Sequence, residues 1–280
     1  MKTRILFILM VFALASLACT IQVNVPKIET GTLQTLEISE HAPSGPASLR
    51  IEMGAGKLSI GGDSDELASG KIEYNVSTWK PIVTRNGGNL AITQRTEGQV
   101  GIPEGNVINN WNLFLGSYPL DVLIEAGAYR GILEFGGLSI TRLEINDGAS
   151  KADLLFSKPN QAEMSLLSYK TGASQISLSG LGNANFDEMS FAGGAGSYTL
   201  NLSGDWRKDA RIRIAGGMSD MKIIVPEDLH TRIILSGGLS NVSPQGTWSI
   251  HDNVYEAGAG EPFVEITIEM AVGNLTLIRK

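Results

Sequence analysis

Beyond residue 48, apolar and polar residues alternate along short stretches, and glycine next to alanine or a second glycine breaks the alternation at regular places. The first such unit reads Leu49-Arg50-Ile51-Glu52-Met53-Gly54-Ala55-Gly56-Lys57-Leu58-Ser59-Ile60. It returns over residues 122–135 around Gly127-Ala128, 143–156 around Gly148-Ala149 and 166–178 around Gly172-Ala173. Further copies cover 189–202 around Gly193-Gly194, 212–225 around Gly216-Gly217 and 233–242 around Gly237-Gly238, and a last pair over 264–277 turns near Gly273. Alternation with a period of two predicts strands with one buried face. Each unit is therefore expected as strand, turn and strand, and helical periodicity is almost absent after residue 19.

The turn glycines Gly127, Gly148, Gly172, Gly194, Gly216 and Gly237 are separated by 21, 24, 22, 22 and 21 residues. A near-constant step of this size is the signature of stacked repeats. Glycine at each bend, Gly54 included, allows a positive φ or a close approach of neighbouring backbones. The expected fold is all-β, a right-handed parallel β-helix or solenoid with coils of about 22 residues. The alternative is an antiparallel β-sandwich, whose strands would recur at steps of roughly 8–12 residues with less uniform loops. Residues 71–116, with Ile72, Tyr74, Val76 and the turn Asn86-Gly87-Gly88-Asn89, break the period and read as a hairpin-like insertion or cap.

The start of the chain differs from all of this. Lys2 and Arg4 precede an uncharged apolar run over residues 5–17, followed by small residues at 15, 16 and 18. A membrane-spanning helix needs about 20 apolar residues, so the shorter run reads as a cleaved secretory signal. Cys19, the only cysteine, cannot form an internal disulfide. The stretch Ala15-Ser16-Leu17-Ala18-Cys19 resembles the lipobox of bacterial lipoproteins, with Ser16 where leucine is commonest. That resemblance implies a diacylglycerol thioether on Cys19, and an anchor of two or more acyl chains holds a protein stably on a membrane. The organisation expected is a signal over 1–18, anchor and tether over 19–47, an N-terminal β region with the insertion over 48–116, and the repetitive solenoid over 117–280. Within the tether, Gln22, Asn24, Ile28 and Leu36 could also pair as strands.

Charge narrows the partners. Removing Lys2 and Arg4 from 22 basic residues leaves 20 against 29 acidic ones, a formal net of −9. Nucleic acid and anionic lipid surfaces are poor partners for such a chain. Glycine is abundant at 33 residues, yet no triplet repeat accompanies it and 42% of residues are apolar, so the excess belongs at turns of a folded β body.

Met53-Gly54-Ala55-Gly56-Lys57-Leu58, Ile72-Glu73-Tyr74-Asn75, Trp79-Lys80-Pro81, Asn109-Asn110-Trp111-Asn112-Leu113 and the serial Gly-Ala turns resemble the toast-rack family of adhesin-like bacterial envelope domains. They are also similar to the C-terminal domain of LiaF-like proteins of cell-wall-antibiotic responses. The resemblance runs from about residue 48 to the end, implies a β-helical fold and carries over no catalytic residue. LiaF-like proteins have transmembrane helices ahead of the domain, where this chain has a lipobox-like leader.

Candidate chemistry is sparse. Gly54-Ala55-Gly56-Lys57 is similar to a phosphate-binding loop and Gly193-Gly194-Ala195-Gly196-Ser197 to a dinucleotide turn, but neither has the full spacing or a following helix. His41, His230 and His251 have no second histidine or cysteine at ligand spacing, so no metal or cofactor is expected. Glu134, Asp153 and Asp187 are acids of neighbouring coils that stacking could bring together; isolated outward acids are usually solvated. Trp79, Trp206 and Trp248 lie in connections, where they either present a flat apolar face to a sugar ring or partner protein, or fold back over strand edges. The function expected is a non-enzymatic envelope lipoprotein, exported and anchored on the outer face of the cell membrane, acting in adhesion or as a scaffold. Its partners would be the membrane through lipid, envelope proteins or cell-wall polysaccharide. The alternatives are a sensor of envelope stress and a polysaccharide-active β-helix enzyme, the last requiring paired carboxylates about 5–9.5 Å apart.

Overall fold

Seven strands of 15–17 residues carry the alternating units, and none of them is interrupted at its glycine. The computed structural model describes residues 27–94, 101–238 and 241–280; Cys19 and the leader lie outside the described residues. In chain order the strands are β1 (Lys27–Glu29), β2 (Gln34–Glu40), β3 (Ala47–Gly61), β4 (Ala68–Tyr74), β5 (Pro81–Asn86), β6 (Asn89–Gln94), β7 (Ile102–Glu104), β8 (Asn109–Leu115) and β9 (Leu120–Glu134). They continue as β10 (Ile140–Leu155), β11 (Met164–Ser179), β12 (Phe186–Asn201), β13 (Ala210–Val225), β14 (His230–Gly237), β15 (Asn241–Gln245), β16 (Ser249–His251), β17 (Val254–Ala257) and β18 (Phe263–Arg279).

The expected strand–turn–strand unit is thus one long bent strand, and the bend reverses which residues face inward. In β10, Leu143 and Ile145 are buried before Gly148-Ala149, and Ala152 and Leu154 after it. Two consecutive exposed residues at the corner switch the inward phase from odd to even numbers. A one-residue slip in a strand turns its side chains to the other face, so this switch keeps the apolar side chains of both arms inside. Parallel pairing continues on both sides of the corner.

The register follows the glycine steps closely. One inward row crosses the sheet as Leu90, Leu49, Val122, Leu143, Leu167, Met189, Ile212, Ile266 and Ile233, all buried. From Val122 to Ile212 its members are 21, 24, 22 and 23 residues apart. Full burial of each such side chain contributes about 1.5–3 kcal/mol. Connections between successive long strands add Phe135, Phe156, Leu181 and Leu202 to the core and bond from one level to the next, Phe135 N donating to Leu155 O and Phe156 N to Ser179 O.

Neighbours in the stack are not always neighbours in sequence. The order is β3-β9-β10-β11-β12-β13-β18, so β18 occupies the place next to β13 where residues 233–242 were expected, and β14 pairs on its outer side. The bend in β18 falls at Ala271, in register beside Gly217, two residues before the expected Gly273. Each end of the stack is closed by two shorter strands, one per arm: β6 and β8 on β3, β14 and β15 on β18. Antiparallel strands then cover these, β5 on β6, β4 on β8 with β2 beyond it, and β17 on β14 with β16 beyond it. Covering an end with short, charged strands limits edge-to-edge association. The segment expected as a tether therefore contributes structure from Lys27 onward, with Leu36 opposite Ile72 and β1 paired to β7.

Candidate functional site

The corner residues form columns across the stack. Gly54, Gly127, Gly148, Gly172, Gly194, Gly217, Ala271 and Gly238 occupy one of them, so Gly217 and Gly238 stand where the sequence count placed Gly216 and Gly237. A Cβ on Gly127, Gly148, Gly172, Gly194 or Gly217 would fall within 2.7 Å of the carbonyl oxygen of the glycine before it in the column. Close backbone approach is what disfavours a side chain at those five positions, and Ala271 is the one member of the column that carries a Cβ. Among the expected turn glycines Gly237 and Gly273 have a positive φ, 97° and 143°.

Beside this column runs an open groove of about 1090 Å³, lined by Glu52, Glu125, Asn146, Lys170, Ala192, Ala215 and Glu269 along one wall. With parallel strands about 4.8 Å apart, a groove crossing from Gly54 to Gly238 is on the order of 30 Å long. Its ends are acidic and its middle holds Lys170. Between Ala192 and Ala215 the wall is reduced to methyl groups, leaving peptide backbone accessible along the floor.

Asp147 lies at the middle of the groove and belongs to a polar cluster inside the corner. In register its neighbours are Ala126 and Thr171. Tyr169 donates a hydrogen bond to its Oδ2 at 2.8 Å, Ser150 donates to the same oxygen at 2.9 Å, and Thr171 donates to Oδ1. Because the Tyr169 proton goes to Asp147, the Tyr129 hydroxyl is the donor in its 3.0 Å bond to Tyr169. Burial pushes both phenols above the usual tyrosine range, and the Asp147 carboxylate pushes them further. They remain protonated donors. Asp147 is not among the candidates named from the sequence, although an acid two positions after Ile145 falls in the inward phase of its arm and is a readable anomaly.

The residues expected to bind are dispersed. Trp206 is packed edge-on against Phe186 with ring centres 5.5 Å apart, and its indole N–H donates to Leu202 O at 2.7 Å. Trp248 packs against Tyr255 and donates to Gln245 O at 3.0 Å. Trp79 closes a short 3-10 turn, Ser77–Trp79, and lines a different depression from the groove. The fourth tryptophan, Trp111, is fully buried and donates to Asn109 Oδ1.

The acids also stay apart. Glu134 Oε1 accepts from Gly136 N and Ser157 N, Asp187 pairs with Lys208, and Asp153 is exposed beside Lys151. His41 lies beside Glu66, His230 packs at a tilt against Phe263, and His251 is on β16. Among the described residues no three His, Cys, Asp or Glu side chains are grouped so as to hold a metal ion, and no helix is long and apolar enough to cross a membrane.

An all-β sheet of bent parallel strands with a Gly-Ala corner defines the class, and comparison with known families gives the assignment. The chain belongs to the family described as the N-terminal domain of toast_rack, DUF2154, whose model matches residues 29–167 and 160–224. No curated protein matches it in sequence. Among crystal structures it is similar to a Clostridium sporogenes protein provisionally assigned to cell adhesion, at 18% identity and TM-score 0.48, over 89% of this chain and 99% of that one. It is also similar to a provisionally assigned lipid-binding protein of Parabacteroides distasonis, at 12% identity, TM-score 0.40 and coverage of 90% and 100%. A provisionally assigned adhesin of Bacteroides fragilis follows at 10% identity and TM-score 0.36, again over 90% and 100%.

Proposed function

We propose that this chain is a non-enzymatic adhesion or scaffold module of the bacterial cell envelope, exported by its leader and held by lipid on Cys19 at the outer face of the membrane. The observation that carries the adhesion reading is the groove beside the corner column, long, open and floored by backbone. A surface of this kind suits an extended partner, since stacked repeats offer contact area along their whole length. Membership of the toast-rack family, adhesin-like in character, agrees with it. The leader and Cys19 supply the route out of the cell and the tether.

The fold behind this surface is read as a right-handed solenoid with coils of about 22 residues. Register steps of 21, 24, 22 and 23 support the coil length, and the strong right-handed preference of parallel β crossovers supports the hand.

The test fills the groove without touching the core. Ala192 and Ala215 sit on its wall with outward methyl groups. Purified chain from residue 19 onward, immobilised, is expected to retain envelope fragments of the source cells, and Ala192→Trp with Ala215→Trp is expected to abolish retention at unchanged melting temperature. Equal retention by the filled variant removes the groove as the adhesive surface.

A further inference from the structure

On the other side of the corner, the column three residues beyond the glycine reads Asn110, Lys57, Arg130, Lys151 and Gln175 on β8, β3, β9, β10 and β11. These strands are adjacent and parallel, so the three cations leave the sheet side by side, about 4.8 Å from one to the next. All three are exposed. None has an ion-pair or hydrogen-bond partner among the described residues. Elsewhere in the stack cations are either paired, as Arg50 between Glu52 and Glu125, Arg213 facing Glu188 and Lys208 facing Asp187, or stand singly with uncharged register neighbours, as Lys170 and Lys222 do. Asp153, two residues beyond Lys151 on the same face, is the acid of this strip, which leaves a local charge of +2 in a chain whose net is −7.

Like charges directly opposite one another destabilise a sheet. A row of three therefore costs stability, and folding gives no return for it. Asn110, Lys57, Arg130 and Lys151 form one side of a depression of about 610 Å³ that also includes Trp79 and Val107. Trp79 differs from the other three tryptophans in that its indole N–H has no partner among the described residues, and Val107 is 38% exposed.

We propose that the row Asn110–Lys57–Arg130–Lys151–Gln175 is a binding site for a linear anionic polymer bearing carboxylate or phosphodiester groups, with Trp79 against an apolar face of its repeating unit. This deepens the adhesion reading by naming a partner class, and rests on it. Arg130 offers a planar fork that matches either anion, with Lys57 and Lys151 as point charges on each side. The terminal amides of Asn110 and Gln175 hydrogen-bond polar groups where the charge row ends. A small ion can neutralise only part of a row about 10 Å long, whereas a polymer meets all of it and releases counterions as it does. The negative field of the whole chain opposes approach, so the interaction is short-ranged and weakens steeply with salt.

The experiment uses the chain from residue 19 onward with three named probes: polygalacturonate for carboxylate, poly(glycerol phosphate) for phosphodiester, and neutral dextran. One charged polymer is expected to bind at low salt while dextran does not, and which one binds identifies the anion. The variant Lys57→Gln/Arg130→Gln/Lys151→Gln is expected to lower affinity at least tenfold and flatten the salt dependence, and Trp79→Ala to weaken binding severalfold. Lys158→Gln with Lys222→Gln, exposed cations outside the row, should change neither. The triple variant should melt at the same temperature as wild type or higher, since it removes a repulsion. No binding to either charged polymer, equal binding to dextran, or a folded triple variant that binds like wild type overturns the proposal. Running Ala192→Trp/Ala215→Trp in parallel separates it from the groove reading: lost retention of envelope fragments with intact polymer binding in that variant leaves the row standing and the groove as a second surface, and a wild-type chain that retains envelope fragments but binds neither charged polymer eliminates the row alone.

Discussion

The carbonyl oxygen of Gly148 occupies the place where a side chain on Gly172 would begin, 2.5 Å from the Cβ position. Gly172 has no positive φ, so the constraint is contact between neighbouring levels of the stack and not backbone conformation. Gly172→Val should force the two strands apart at the corner and destabilise the chain by about 1–3 kcal/mol, the range for overpacking a filled site. Gly45→Ala, where a Cβ would meet nothing within 4 Å, should shift stability by less than about 0.5 kcal/mol. Equal effects in denaturant melts would contradict the column.

Asp147 offers a second point of failure. Its register neighbour Ala126 shows that the backbone there accepts alanine, so Asp147→Ala introduces no clash. It does strip the acceptor from Tyr169, while Ser150 and Thr171 can still donate to Ser174 Oγ. An unsatisfied buried donor costs about 1–3 kcal/mol, and the variant should lose about that much by urea denaturation. Tyr129→Phe, which removes the donor at the end of the hydrogen-bond chain together with its need for an acceptor, should cost less.

Alkaline pH should act on the same cluster. Burial holds Tyr129 and Tyr169 protonated beyond the range in which tyrosine normally ionises, while in the unfolded chain both lose their protons near pH 10. The unfolded state then binds fewer protons than the folded one, so stability is fully present below about pH 10 and falls as pH rises past it. Each tyrosine contributes up to about 1.4 kcal/mol per pH unit to that fall. Tyr129→Phe/Tyr169→Phe should show a shallower decline between pH 9.5 and 11 in denaturant titrations.

The tryptophans should divide by whether they pack against the core, as Trp206 and Trp248 do. Trp206 packs on Phe186, its indole N–H is satisfied by Leu202, and Gly182 lies beneath its ring. Trp206→Ala should cost about 2–4 kcal/mol by opening a cavity. Trp79→Ala should leave the thermal midpoint within a degree or two, because that ring borders an open depression.

The strand rows and the step between levels could be read from the chain because period-2 burial and the glycine column are local signals repeated many times. Gly127, Gly148, Gly172 and Gly194 fall in one column as spaced. Gly216 does not, because two consecutive glycines, Gly216-Gly217, offer the corner a choice that only register with Gly194 decides. The insertion of β18 between β13 and β14 was hidden for a related reason: a repeat count assumes that successive copies are neighbours, and strand order at the end of a stack is set by long-range packing. Helix-free sequence and the turn Asn86-Gly87-Gly88-Asn89 correctly marked the hairpin of β5 and β6. The cation row was equally hidden, since Lys57, Arg130 and Lys151 become neighbours only through pairing across 73 and 21 residues.

The proposed adhesion through the groove and the proposed anchorage through Cys19 can be tested in one assay. Cells producing wild-type chain, Cys19→Ala, or Ala192→Trp/Ala215→Trp are compared for adherence to a surface coated with their own envelope material, with the amount of chain in the membrane fraction measured alongside. The predicted result is adherence with wild type only: Cys19→Ala leaves the membrane fraction and the filled variant stays in it, yet neither supports adherence. Undiminished adherence by the filled variant, or a Cys19→Ala chain that remains in the membrane fraction and adheres like wild type, would contradict the account.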